Sequence, residues 1–148
     1  MTREDAVETA LTYYDDGKYF EELRRRVAIP TECQDPKQVP ELYRYLRDEM
    51  TPAFEAMGYN FRIFDNPMPG MGPFFLAHRF ESESLPTILG YGHGDVVLGQ
   101  EGQWLDGLSP WEMTERGDKV YGRGISDNKG QHTLHMNALE AIIETKGK

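Results

Sequence analysis

Apolar residues recur at helical spacing through the first 27 positions, at Ala6, Ala10, Leu11 and Tyr14 and again at Phe20, Leu23 and Val27. That period predicts helix over 2–27, and Asp15-Asp16-Gly17 divides it in two. Residues 29–36 read as loop, because Pro30 and Pro36 each push the preceding residue out of the helical region. Helix resumes over 40–57, where Leu42, Leu46, Met50, Phe54 and Met57 form a core-packing stripe and Gly58 ends it. The pattern then alternates. Strands are predicted at 59–64 and 74–80 on either side of a turn-rich connection. After a polar turn at 81–84, residues 87–91 are short and apolar enough for a buried central strand. A loop carrying Trp104 spans 99–110, and 111–115 and 119–121 pair as a hairpin around Arg116-Gly117-Asp118. The last helix, over 131–145, has a stripe of Leu134, Ala138, Ala141 and Ile142. Met136, Leu139 and Ile143 widen it, as in a helix covered on more than one side.

Composition narrows the classes. At 148 residues, with 39% hydrophobic and 11% aromatic residues and no repeat, linker or low-complexity tract, the chain fits one globular domain. A net charge of -9 counts against nucleic acid as a partner, since phosphate backbones are held by Lys and Arg. Arg24-Arg25-Arg26 reads as a solvated helix face rather than an anion site. Cys33 is the only cysteine, which excludes an internal disulfide and a thiolate zinc knuckle; it reads as a buried or half-buried structural thiol in a reducing compartment. No apolar run approaches the roughly 20 residues that span a bilayer, and the N-terminus lacks a secretory pattern. A cytoplasmic protein without a membrane anchor is expected.

Two stretches carry the candidate chemistry. In the first, Ile88-Leu89-Gly90-Tyr91-Gly92-His93-Gly94-Asp95-Val96-Val97, an apolar run delivers an imidazole with a carboxylate two residues on. That is a metal ligand and an acceptor for its other ring nitrogen. In the second, Tyr121-Gly122-Arg123-Gly124-Ile125-Ser126-Asp127-Asn128-Lys129-Gly130, glycines brace a loop around Asp127 just before a helix. It is not a dinucleotide loop, because Asp127 stands where a third glycine is needed and would repel a pyrophosphate. Lys129 is followed by Gly130 rather than Ser or Thr, which excludes a P-loop, and neither a His-Glu-x-x-His motif nor a Gly-x-Ser-x-Gly elbow occurs. A rigidly held carboxylate suits a bridge between two cations about 3.5 to 4 Å apart, and Asp127 is the candidate. His78 has no carboxylate neighbour at ligand spacing and reads as packed or hydrogen-bonded.

These stretches, with Trp104 and Pro110-Trp111-Glu112, resemble the co-catalytic zinc hydrolases of peptidase clan MH. That family includes aminoacylases, glutamate carboxypeptidases, acetylornithine and succinyl-diaminopimelate deacylases and carnosinase-type dipeptidases. The second half of the chain resembles it in detail, the first half only in the order of elements. The resemblance implies an α/β fold, the N-terminal portion of a zinc-exopeptidase catalytic domain over 1–148, with a mixed sheet flanked by helices and no lid or dimerisation domain. It implies that His93 and Asp127 are metal ligands, that Asp95 is catalytic through orienting the His93 ring, and that the Asp127-Asn128 peptide is cis. The implied cofactor is zinc, two ions in the complete enzyme, with cobalt or manganese as the other candidates. The implied substrate is a peptide or N-acyl amino acid, in a complete enzyme that can be a homodimer. The Asp-Asn-Lys-Gly ending leans toward the dipeptidase and carboxypeptidase branches.

The family's acidic base and ligand pair, a further carboxylate and a last His have no counterpart before Lys148. Glu140 and Glu144 lie three to four turns into the helix, too far along to replace them at about 1.5 Å per residue. His132 and His135, on one helix face, are expected to be bystanders. The expectation is therefore a truncated chain that binds zinc weakly and is inactive alone. Two rivals stand beside it: a metal-free interaction or scaffold protein built on half of a hydrolase fold, and a single-metal regulatory site at His93 and Asp127.

Overall fold

Helix α1 (Arg3–Asp15) begins where Thr2 and Asp5 cap each other reciprocally, the Thr2 amide donating to Asp5 Oδ2 at 2.7 Å and the Asp5 amide to Thr2 Oγ1 at 3.3 Å. The structure, a computed structural model, describes residues 2–146. Helix α2 (Lys18–Val27) follows across the Asp16-Gly17 turn. The next helical stretch is continuous but uneven: a 3-10 turn (Pro36–Gln38), α3 (Val39–Tyr45), a π turn (Leu46–Met50) and α4 (Thr51–Ala56). Pro52 explains the unevenness, since it has no N–H to offer the carbonyl four residues back.

Strands β1 (Asn60–Phe64) and β2 (Phe74–His78) pair antiparallel, as do β3 (Thr114–Arg116) and β4 (Lys119–Tyr121). A parallel bridge between Glu32 and Val96 joins the loop after α2 to the segment after His93. Helix α5 (Lys129–Lys146) packs against α1 and α2. One core cluster joins Ile29, Tyr45, Met50, Met57, Met136 and Ile143; a second joins Leu23, Val27 and Met113. The result is an α/β fold with small sheets flanked by helices.

Several expectations need correction. Residues 87–91 form no strand among the described residues, and Ile88, Leu89 and Tyr91 are 88%, 91% and 80% exposed. Apolar character favours burial but cannot supply the neighbouring strands that burial needs. The α5 stripe is also turned: Leu134, Leu139 and Ile142 are exposed, whereas His132, Thr133, Met136 and Asn137 are buried. Polar groups can occupy that face because each finds a partner there. Arg26 is the reason for part of this. Far from lying on a solvated face, it is 1% exposed, donating from Nη1 to Thr133 Oγ1 at 2.6 Å and pairing with Glu22 at 3.2 Å. Cys33 is exposed rather than buried, and His78 sits at an exposed position of β2. His132 and His135 do not share an environment, the first being buried and the second exposed. The chain end at Gly147-Lys148 lies outside the described residues. Among the described residues no helix is long and apolar enough to cross a membrane.

Candidate metal centre

The segment carrying His93 is held from three directions. Downstream, the parallel bridge is made by the Val96 amide donating to Thr31 O at 2.8 Å and the Cys33 amide to Val96 O at 3.0 Å. From the side, Thr31 Oγ1 donates to Gly94 O at 2.5 Å. From behind, the His93 amide donates to Asn128 Oδ1 at 3.2 Å. These contacts come from the loop after α2 and from Asn128 just before α5, so two distant parts of the chain hold the backbone that carries the imidazole.

The Asp127 loop is held as firmly. The Arg123 amide donates to Pro110 O at 2.7 Å, and the Arg123 guanidinium reaches Gly99 O at 3.3 Å while lying 5.5 Å from the Trp104 ring centre. Trp104 Nε1 donates to the same Gly99 carbonyl at 2.7 Å, and Trp111 Nε1 to Glu101 at 2.9 Å. The tryptophans therefore brace the loops rather than enter the site. Just after Asp127 the peptide to Asn128 is cis, and Lys129, fully buried, donates from Nζ to Arg26 O at 2.9 Å and Ile29 O at 2.7 Å. Those carbonyls lie in the last turn of α2 and just beyond it, so Lys129 ties the start of α5 to the end of α2. Burial lowers the Lys129 pKa to about 7, against the pull of the Asp95 charge.

The three candidate side chains meet. His93 Nε2 lies 3.2 Å from Asp127 Oδ1, and His93 Nδ1 lies 3.3 Å from Asp95 Oδ1 and 3.2 Å from Asp95 O. The imidazole is partly covered at 31% side-chain exposure, whereas the Asp127 carboxylate is 81% exposed. In the tautomer whose Nδ1–H donates to the Asp95 carbonyl, the Nε2 lone pair would face an anionic oxygen. A cation between the two relieves that opposition. Ligand bonds of about 2.0 to 2.2 Å at a tetrahedral angle would place the two donor atoms about 3.4 Å apart, close to the separation seen, so the pair fits a shared divalent ion. Among the described residues no group of three or more His, Cys, Asp or Glu is arranged to hold a metal.

Residues without a sequence signal of their own complete the setting. His132 Nδ1 lies 3.3 Å from Asn128 Oδ1, and its Nε2 lies 2.5 Å from the Tyr45 hydroxyl. Burial first, then the charges of Arg26 and Lys129, lower the His132 pKa to about 3. Cys33 faces Asp95, and desolvation together with that hydrogen bond raises its thiol pKa, so no activated nucleophile stands there. The spacing of Asn128 and His132, four apart at a helix start, was one available clue. Nothing in the sequence pointed to Tyr45 or Thr31.

Comparison with known proteins agrees with this setting. Residues 89–148 match the model for peptidase family M20/M25/M40. The chain is 31% identical over 137 residues to the mouse beta-Ala-His dipeptidase, covering 84% of this chain and 27% of that protein. It is 43% identical over 63 residues to the cysteinylglycine-S-conjugate dipeptidase of Corynebacterium striatum, covering 42% of this chain and 13% of that one. The crystal structure of human carnosine dipeptidase 1 superposes with a TM-score of 0.82 at 27% identity, over 95% of this chain and 32% of that chain. The chain thus spans a third or less of the length of these relatives.

Proposed function

Because the chain belongs to peptidase family M20/M25/M40, we propose that it is the N-terminal portion of the catalytic domain of a zinc-dependent hydrolase that cleaves an amide bond of a peptide or N-acyl amino acid. The observation that carries this reading is the convergence of His93 Nε2 and Asp127 Oδ1 at 3.2 Å, with the other imidazole nitrogen turned to Asp95. His93 would hold the metal through Nε2 and Asp127 through its carboxylate. Asp95 would keep the ring in the Nδ1–H tautomer, leaving the Nε2 lone pair free. Two divalent cations bound there would supply Lewis-acid polarisation of the scissile carbonyl and a nucleophile from water at neutral pH.

Catalytic zinc takes three protein ligands, and the described residues offer two, so the 148-residue chain alone would bind zinc weakly and not turn over. The remaining ligands and the base belong to the complete protein. Dipeptides are the first substrates to try, given the named dipeptidases among the relatives. The want of a three-ligand cluster among the described residues is also what a metal-free interaction module would show. The deciding experiment assays the protein expressed from its complete coding sequence against dipeptides and N-acyl amino acids, with and without chelator. Hydrolysis that chelator abolishes and zinc restores is expected. A full-length product that neither binds zinc nor hydrolyses any of these substrates would overturn the reading in favour of the interaction module.

A further inference from the structure

Gly92 and Gly94 flank His93, and each lies against a buried ring. A Cβ at Gly92 would meet His132 Cβ at 2.7 Å, and a Cβ at Gly94 would meet Tyr45 Cε1 at 2.3 Å. The His93 segment therefore rests directly on Tyr45 and His132, which are themselves edge to face at 83° with centroids 5.9 Å apart. A hydrogen-bonded chain runs through the same residues. The His93 N–H fixes which end of the Asn128 amide it meets: Oδ1 must face it, while Nδ2 donates to Gln131 Oε1 at 2.6 Å. Asn128 Oδ1 can then only accept from His132, so His132 Nδ1 carries the proton. His132 Nε2 is left to accept from the Tyr45 hydroxyl. Every donor in the chain meets an acceptor, and the order of roles follows from one backbone amide.

We propose that Tyr45 and His132 are positioning residues for His93, acting through Asn128 and the glycine-flanked backbone to set where its imidazole stands relative to Asp127. Tyr45 is the last residue of α3 and His132 lies in the first turns of α5, so the device ties the His93 loop to the same helix that begins just after Asp127. The inference rests on the reading of His93 as a metal ligand for its consequence, but not for its existence.

The test uses the full-length protein and four variants: Tyr45→Phe, His132→Leu, His132→Asn and, as a control, Met136→Ala on the same helix. Asn places an amide nitrogen where His132 Nδ1 stands, so it keeps the bond to Asn128; Leu keeps none. The first readout is amide hydrogen exchange at His93 in metal-free protein, and the second is zinc affinity by chelator competition. His132→Leu is expected to raise exchange at His93 roughly tenfold and to weaken zinc roughly 10- to 100-fold, the range for loss of an outer-shell partner. His132→Asn should recover most of both, Tyr45→Phe should give a smaller loss, and Met136→Ala should move neither despite lowering the melting temperature. Equal effects of Leu and Asn, or an unmoved His93 amide in folded His132→Leu, would overturn the proposal. Should His132→Leu not fold, Tyr45→Phe decides alone, since it removes one oxygen: an unmoved His93 amide would overturn the device. A protein whose His93 amide responds as expected but which binds no zinc leaves the positioning device standing and removes the metal reading instead.

Discussion

His93 Nε2 and Asp127 Oδ1 lie 3.2 Å apart although 34 positions separate them in the chain. The His93 segment is held by Thr31 and Asn128 and the Asp127 loop by contacts of Arg123 and Lys129, and neither side chain is closed off from solvent. That arrangement is what the proposed pair of metal ligands requires.

His93→Ala and Asp127→Ala should therefore each weaken zinc binding by the full-length protein by more than the roughly 10- to 100-fold that loss of an outer-shell partner costs. Chelator competition measures this. Circular dichroism should show the fold unchanged, because the Asp127 side chain is exposed and the His93 ring partly so.

Asp95→Ala should leave the ligands in place and remove the carboxylate from beside the His93 ring, so that only the residue 95 carbonyl is left to hold Nδ1. A loss of about 10- to 100-fold in zinc affinity or activity is expected, smaller than for His93→Ala. Asp95→Asn should fall between wild type and Ala, since one amide oxygen can still accept from Nδ1. The order of the three affinities is the check.

Acid should destabilise the protein partly through His132. Its folded pKa, about 3, lies below the ordinary imidazole value of about 6.5, so the unfolded chain takes up a proton that the native state refuses. Stability therefore falls as pH drops from about 6.5 toward 3. By pH 5 the contribution is about 2 kcal/mol. Urea unfolding of wild type and His132→Asn at pH 7 and pH 5 should show the gap between them narrow by about that amount.

Arg26→Ala should cost about 3 kcal/mol, the lower end of the range for breaking a buried ion pair. Glu22 and Glu49 both lose Arg26, but Asn137 still donates to Glu22 at 3.1 Å and Arg25 to Glu49 at 3.3 Å. Denaturant titration gives the value, and an unchanged midpoint would contradict the buried role.

Gly130→Ala should be among the most damaging small changes. A Cβ there would stand 2.0 Å from the Ile125 carbonyl oxygen, a backbone atom that cannot swing away, and overpacking of this kind costs about 1 to 3 kcal/mol or more. Gly102→Ala, with nothing within 4 Å of the added carbon, should be tolerated. Thermal melting of the two variants distinguishes them.

The chain's own order of residues pointed to the helices, to the strands at both sheets, to the pairing of the second two as a hairpin, and to the three side chains of the candidate centre. Helical periodicity and alternation are local properties, and His93, Asp95 and Asp127 sit in glycine-rich segments whose residue types speak for themselves. Tertiary structure alone decided which face of α5 is inside, that Arg26 is buried, that 87–91 lies unpaired, and that Tyr45 and His132 support His93. The reason is physical. Burial of a polar group depends on partners supplied by remote segments, as Thr133 and Glu49 are for Arg26 and Tyr45 is for His132. An apolar run becomes a strand only where other strands lie beside it.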